Sequence, residues 1–230
     1  MIELEQAGLA FLLQTSDATF PTGSYAHSLG MEEMVQQGRV RDEATLRAFL
    51  DDHVIPAAAQ LDLPLVAEAH RAVERGDLDD LLAVDHLSGV LRPARELRAA
   101  SLQTGRRRLA MLAAVSSIPI LRAYQDRAAA DPAIGHHAAV WGAACGALPV
   151  NAVLTAYLYQ SLASYCAAAP KLIRIGQEGI QRVLTAALGG AMPAVEAALM
   201  VARADIGWFD PMVDIASMWH EVSDERLFIS

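Results

Sequence analysis

The chain has 230 residues, 53% of them hydrophobic and 20% charged, with a net charge of −9. That is enough apolar material for one large core or two small ones, and the acidic balance argues against non-specific nucleic-acid binding, which needs clustered cations to displace counterions. Aromatic residues make up only 6%, and the apolar content is dominated by alanine and leucine. Such side chains lose little freedom on entering a helix, so helix is favoured over sheet.

Helical periodicity then runs from end to end. Residues 3–15 form the first expected helix and 24–37 the second, closed by Gly38. Asp42 caps a third through Leu46, Phe49, Leu50 and Val54, which Pro56 should kink or end. Leu63 to Arg75 follows and stops at Gly76, and Asp77 caps a segment reaching about Leu91. Pro93 opens a long helix with Leu102, Leu109 and Leu112 on one face, and Ile118 to Ala130 continues after Pro119. His136 to Ala147, Val150 to Ala169, Leu172 to Leu188 and Pro193 to Ile206 complete the set.

No window alternates with period two, and no repeat or low-complexity linker divides the chain. The expected fold is all-α: a single compact multi-helix bundle over residues 1–207, with residues 208–230 as a C-terminal tail of the same unit. A tail carrying Trp219, Leu227, Phe228 and Ile229 must dock on its own body or on a partner. Glu3 and Glu5 replace the positive leader of a secretory signal. Residues 132–170 contain no Asp, Glu, Lys or Arg, but Pro149 with Gly142 and Gly146 divides them. Buried central helices are expected there rather than a membrane span. Cys145 and Cys166 read as free, buried thiols in a reducing cytoplasm.

The chemistry-bearing candidates are few. Lys171 is the only lysine and lies in Ala-Pro-Lys-Leu, so there is no P-loop. Ser24, His27 and Asp17 superficially form a hydrolase triad, yet no Gly-x-Ser-x-Gly elbow is present, and a serine near a helix start is more often a cap. His136 and His137 project about 100° apart on a helix, and His220-Glu221 has Asp224 where a zincin motif needs its second histidine. No catalytic residue, cofactor or single-chain metal site is expected, although histidines paired across a dimer axis could build one. Arg92, Arg95, Arg98 and Arg106 to Arg108 form a locally positive region, either a solvated face paired with nearby acids or a docking surface.

The most specific stretch is Asp17-Ala-Thr-Phe20-Pro21-Thr-Gly23-Ser-Tyr25-Ala-His27-Ser28-Leu-Gly30-Met-Glu32. Pro21 and Gly23 shape a turn, because proline fixes its own φ and glycine accepts a positive one. A helix beginning at Ser24 would align Tyr25, Ser28 and Glu32 in a polar stripe unsuited to burial.

This window resembles the UreF family of urease accessory proteins, whose pattern Asp-x-x-Phe-Pro-x-Gly-x-(Phe/Tyr)-x-His-Ser-x-Gly-x-Glu it matches at all nine defined positions. Glu96-Leu97-Arg98 with Leu102-Gln103-Thr104-Gly105-Arg106, Gly176-Gln177 with Gln181, and Asp214 to Glu221 ending Arg226-Leu227-Phe228 are similar to further segments of the family. Lys171, Trp219 and residues 222–225 depart from its usual pattern. The resemblance implies a non-enzymatic, all-helical, cytoplasmic adaptor that forms a homodimer. It would bind UreD (also called UreH), recruit the GTPase UreG and act on apo-urease so that nickel is inserted, with no nucleic acid or membrane involved. Tyr25, His27, Ser28 and Glu32, with Arg226, Leu227 and Phe228 of the tail, are the expected partner-binding residues.

Overall fold

The computed structural model describes residues 4–116, 118–223 and 226–229. The helix start expected at residue 3, and positions 224 and 225 of the tail, lie outside them. Among the described residues all regular structure is helical: α1 Gln6–Ser16, α2 Met31–Gln36, α3 Glu43–Phe49, α4 Ile55–Ala57, α5 Leu63–Glu74, α6 Leu78–Val90, α7 Arg95–Val115, α8 Pro119–Ala130, α9 His137–Ala144, α10 Val150–Leu172, α11 Gln177–Met200 and α12 Pro211–Glu221.

From Glu43 to Glu74 the helices form one continuous rod, so Pro56 does not end the third helix as expected. The reason is local. Two π turns, Leu50–Val54 and Ala58–Asp62, each stop two residues short of a proline, Pro56 or Pro64. The Ile55 and Leu63 amides reach back five residues, to the carbonyls of Leu50 and Ala58. This widened turn makes room for the proline ring and spares the helix a break. Pro193 is likewise carried inside α11, which merges two segments expected to be separate.

Sequence signals at other ends hold. The Asp42 carboxylate accepts from the Thr45 amide at 2.9 Å while Thr45 Oγ1 accepts from the Asp42 amide at 3.0 Å, closing a capping box. Gly76, at φ 67°, ends α5, and Asp77 caps α6 through the Asp80 amide at 2.9 Å.

At the centre lies α9, with seven of its eight residues buried. It packs on α5 and α7, and Gly142 lets the backbones touch: a Cβ there would stand 2.2 Å from the Val66 carbonyl oxygen. The charge-free stretch 132–170 is therefore largely interior, as expected. Among the described residues the helix that is long and apolar enough to cross a membrane is instead α11, of whose most apolar 18-residue window 33% is buried. Cys145 and Cys166 are free and buried, and burial pushes their thiols up to about 12 and about 11.

The start of α9 is fixed by Asp85 of α6, whose carboxyl oxygens accept from the Gly135 and His136 amides, each at 2.7 Å. Burial raises Asp85 to about 6, against the lowering effect of those two bonds. The folded state therefore holds this proton to a higher pH than the unfolded chain, and stability from this group falls as pH rises from about 4 to about 6. His136, which burial lowers to about 3, works in the opposite sense. A comparison of wild type with Asp85→Asn cancels it. The wild type should lose about 3 kcal/mol relative to the variant across that range in chemical denaturation. Gly142→Ala should cost about 2–3 kcal/mol by forcing α9 off α5, read as a lowered melting temperature.

Candidate partner interface

The turn after α1 is built as its residue types require. Asp17 Oδ1 accepts from the Thr19 amide at 2.7 Å and from its hydroxyl at 2.5 Å, and Phe20 N–H donates to the Asp17 carbonyl at 3.0 Å. Gly23 sits at φ 75°, a conformation that favours glycine, and the Arg107 guanidinium lies against it where a Cβ would stand. Beyond it, Ser24–Ala26 makes a single 3₁₀ turn. Leu29 at φ 51° and Gly30 at φ 86° then break the path before α2. The continuous helix expected over 24–37 is thus two pieces.

The break overturns the expected polar stripe. His27, Ser28 and Glu32 are buried, and only Tyr25 is strongly exposed, at 73%. Glu32 turns inward to hold the C-terminus. Its Oε1 accepts from the Leu227 amide at 2.8 Å, and its Oε2 accepts from the Phe228 amide at 3.0 Å and lies 3.0 Å from His220 Nε2. On the other side of that fully buried ring, Nδ1 lies 3.0 Å from Glu96 Oε2 of α7. Arg226 Nη1 approaches the same Glu96 carboxyl at 3.6 Å. The Ile229 amide donates to the Ala26 carbonyl at 2.8 Å, and Lys171 Nζ lies 5.1 Å above the Phe228 ring.

The tail is therefore ordered on its own body, with a helix, α12, where the sequence pattern weakens. The N-terminus of α12 is capped by Asp210, which accepts from the Met212 amide at 3.0 Å and the Val213 amide at 3.2 Å; His53 Nδ1 lies 2.6 Å from its other oxygen. The result at the surface is a meeting of distant segments. Tyr25 and Leu227, both 73% exposed, and the exposed Arg226 stand beside the Ala26–Ile229 bond, while Phe228 is buried beneath. Along α12, Met212, Ile215, Trp219 and Val222 add a second exposed apolar line at helical spacing.

Two decisive residues were not among the expected interface residues. Glu96 and His220 lie within the family-like segments Glu96-Leu97-Arg98 and Asp214 to Glu221, but nothing in their spacing reveals that they meet. Arg108, expected on the arginine surface, is instead fully buried, and among the described residues no carboxylate pairs with it. Its guanidinium lies 3.9 Å from the Trp141 ring centroid and 5.1 Å from that of Phe20, and Nη2 donates to the Thr15 carbonyl at 2.9 Å. Burial pulls it down to about 9. The rest of the expected arginine surface is largely engaged within the chain. Arg92 pairs with Asp62, Arg95 with Glu221, Arg98 reaches the Arg92 carbonyl and Arg106 the Ala128 carbonyl. The triad geometry is likewise missing: Asp17 is spent on Thr19, and Ser24 Oγ accepts from Thr22 at 3.2 Å.

Residues 40–188 match the family model described as UreF. The chain is 33% identical over 221 residues to the urease accessory protein UreF of Paenarthrobacter aurescens (strain TC1), covering 95% of this chain and 96% of that protein.

This protein belongs to the UreF family.

The UreF of Azoarcus sp. (strain BH72) is 35% identical over 224 residues, with 95% and 94% of the two chains covered. That of Bacillus sp. (strain TB-90) is 27% identical over 96% and 99%. UreF proteins are urease accessory proteins rather than enzymes, which agrees with a site made of contacts and caps.

The clasp makes Glu32 indispensable to the tail. Glu32→Ala should cost roughly 3 kcal/mol by stripping three bonds from a buried carboxyl site and leaving Glu96 with His220. Amide exchange at Leu227 and Phe228 should rise toward that of unstructured chain. Protection that stays at the wild-type level would refute the clasp.

Proposed function

We propose that this UreF-family protein works as a cytoplasmic urease-maturation adaptor. In this reading it binds a UreD-type accessory protein, recruits a UreG-type GTPase and, as a homodimer, presents them to apo-urease so that nickel is inserted. Family membership supports the urease-accessory role. The composition supports a division of labour, since a chain whose single lysine lies in Ala-Pro-Lys-Leu leaves nucleotide hydrolysis to another subunit.

The observation that carries the reading is the exposed cluster of Tyr25, Arg226 and Leu227. The two ends of the chain are brought to one surface by buried bonds, and the side chains that result are aromatic, cationic and aliphatic, the types that anchor protein interfaces. Buried His27, Ser28, Glu32 and Phe228 act from beneath, by fixing the backbone that carries the exposed three. The apolar line on α12 extends the same surface.

Removing everything after Pro211 is a poor test, because it also strips Glu32 and Glu96 of His220 and exposes the faces of α2 and α7. Tyr25→Ala combined with Leu227→Asp alters only outward side chains. The double variant should change stability by less than about 1 kcal/mol. In co-purification from a urease operon background it should lower recovery of UreD and UreG about tenfold or more, together with urease nickel content. Undiminished recovery would sink this assignment.

A further inference from the structure

A cavity of about 180 Å³ lies between α7, α9, α10 and the start of α12. Three side chains on its wall carry polar atoms with no hydrogen-bond partner among the described residues, and one of those atoms, on His137, is wholly buried against the rule that buried polar groups find partners. Gln160 of α10 and Thr104 of α7 are 7% and 6% exposed, and among the described residues neither side chain has a hydrogen-bond partner. The Nε2 of His137, at the start of α9, is also buried without one. An empty chamber would forfeit the bonds these groups make in water.

Arg92, Asp62 and Asp210 on the wall are already matched within the chain. Arg92 pairs with Asp62 and donates to the Ser88 carbonyl at 2.7 Å, and Asp210 faces His53 at 2.6 Å. Burial raises Asp214 and holds His137 well below the usual imidazole range. Flat aromatic faces complete the lining, from Tyr157, Tyr165 and Trp208.

We infer that this chamber binds a small, neutral, planar molecule with an amide-like edge, of about the size of a single nucleobase. The Gln160 amide offers a donor and an acceptor side by side in one plane, the complement of such an edge. Aromatic walls suit a flat ring. An anionic guest would meet the Asp214 carboxyl group and charges that are already paired, and would lose its hydration without compensation. Water is the competing occupant, since the volume has room for about six molecules.

The inference does not depend on urease partners, so the isolated full-length chain suffices to test it. Adenine, uracil and nicotinamide serve as probes in saturation-transfer NMR, with benzoate as a planar anionic control. At least one neutral probe should saturate at about millimolar concentration or below, with benzoate about tenfold weaker or worse. Gln160→Leu should weaken the bound probe about tenfold while helical circular dichroism is kept. Thr104→Val provides a second readout should the first variant fail to fold, with an expected loss of about threefold or more. If no neutral probe saturates, if benzoate binds equally well, or if the folded variants bind like wild type, the inference is overturned and water fills the chamber.

Discussion

The Glu32 carboxyl group holds together parts of the chain that the sequence keeps far apart. It lies 188 positions from His220 and almost as far from the other end as the chain allows, yet it accepts two backbone amides of the tail and faces the buried ring of α12. Glu96 closes the ring from α7. Buried acidic groups are tolerated only when their lone pairs are filled, and here nearly every bond comes from the C-terminal twenty residues. The position of α12, the burial of Phe228 and the outward aim of Leu227 all follow from that arrangement. A tail that is polar at one position and apolar at the next is thereby given one conformation.

Arg108 performs a matching task at the other side of the motif turn. A guanidinium without a carboxylate is costly to bury, and it is stabilised here by two aromatic faces and a helix-end carbonyl. Phe20 therefore does more than fill space: it covers the cation, and through it ties the turn to Trp141 in the central helix. The turn is held from below through Arg108, by the Phe20 face and the Thr15 carbonyl. A rigid turn carrying an exposed tyrosine is what a recognition surface needs, because little ordering is left to be done on binding.

Much of the fold could be read directly. The caps at Asp42 and Asp77, the stop at Gly76 and the buried character of 132–170 rest on local rules, and the structure obeys them. Prolines misled in two places, since whether Pro56 or Pro193 interrupts a helix depends on neighbouring turns and packing rather than on the residue itself. The candidate interface was legible only in outline. Tyr25, Arg226 and Leu227 stand outside as a recognition surface requires. The inward turn of Ser28 and Glu32 follows from positive φ at Leu29, which periodicity alone does not reveal. His220 and Glu96 were invisible for a simpler reason: a contact between residues 124 apart leaves no trace in spacing.

The two π turns of the long rod have a consequence for how this chain tolerates changes in length. Pro64 has no N–H to offer the Gln60 carbonyl, which instead accepts from the Gly207 amide at 3.0 Å, at the root of α12. Each π turn also amounts to one residue more than an α-helix would use over the same span. Deleting a residue there would leave a smoother helix by local criteria. A deletion in the α-helical stretches on either side would instead swing every later side chain by about 100°, turning the face of α5 that meets the central helix toward solvent. Insertions and deletions of single residues outside the π turns are thus a change of rotational phase, whereas each π turn holds one residue that can be lost in step, and the rod acts as the gear that keeps the core and the C-terminal helix aligned.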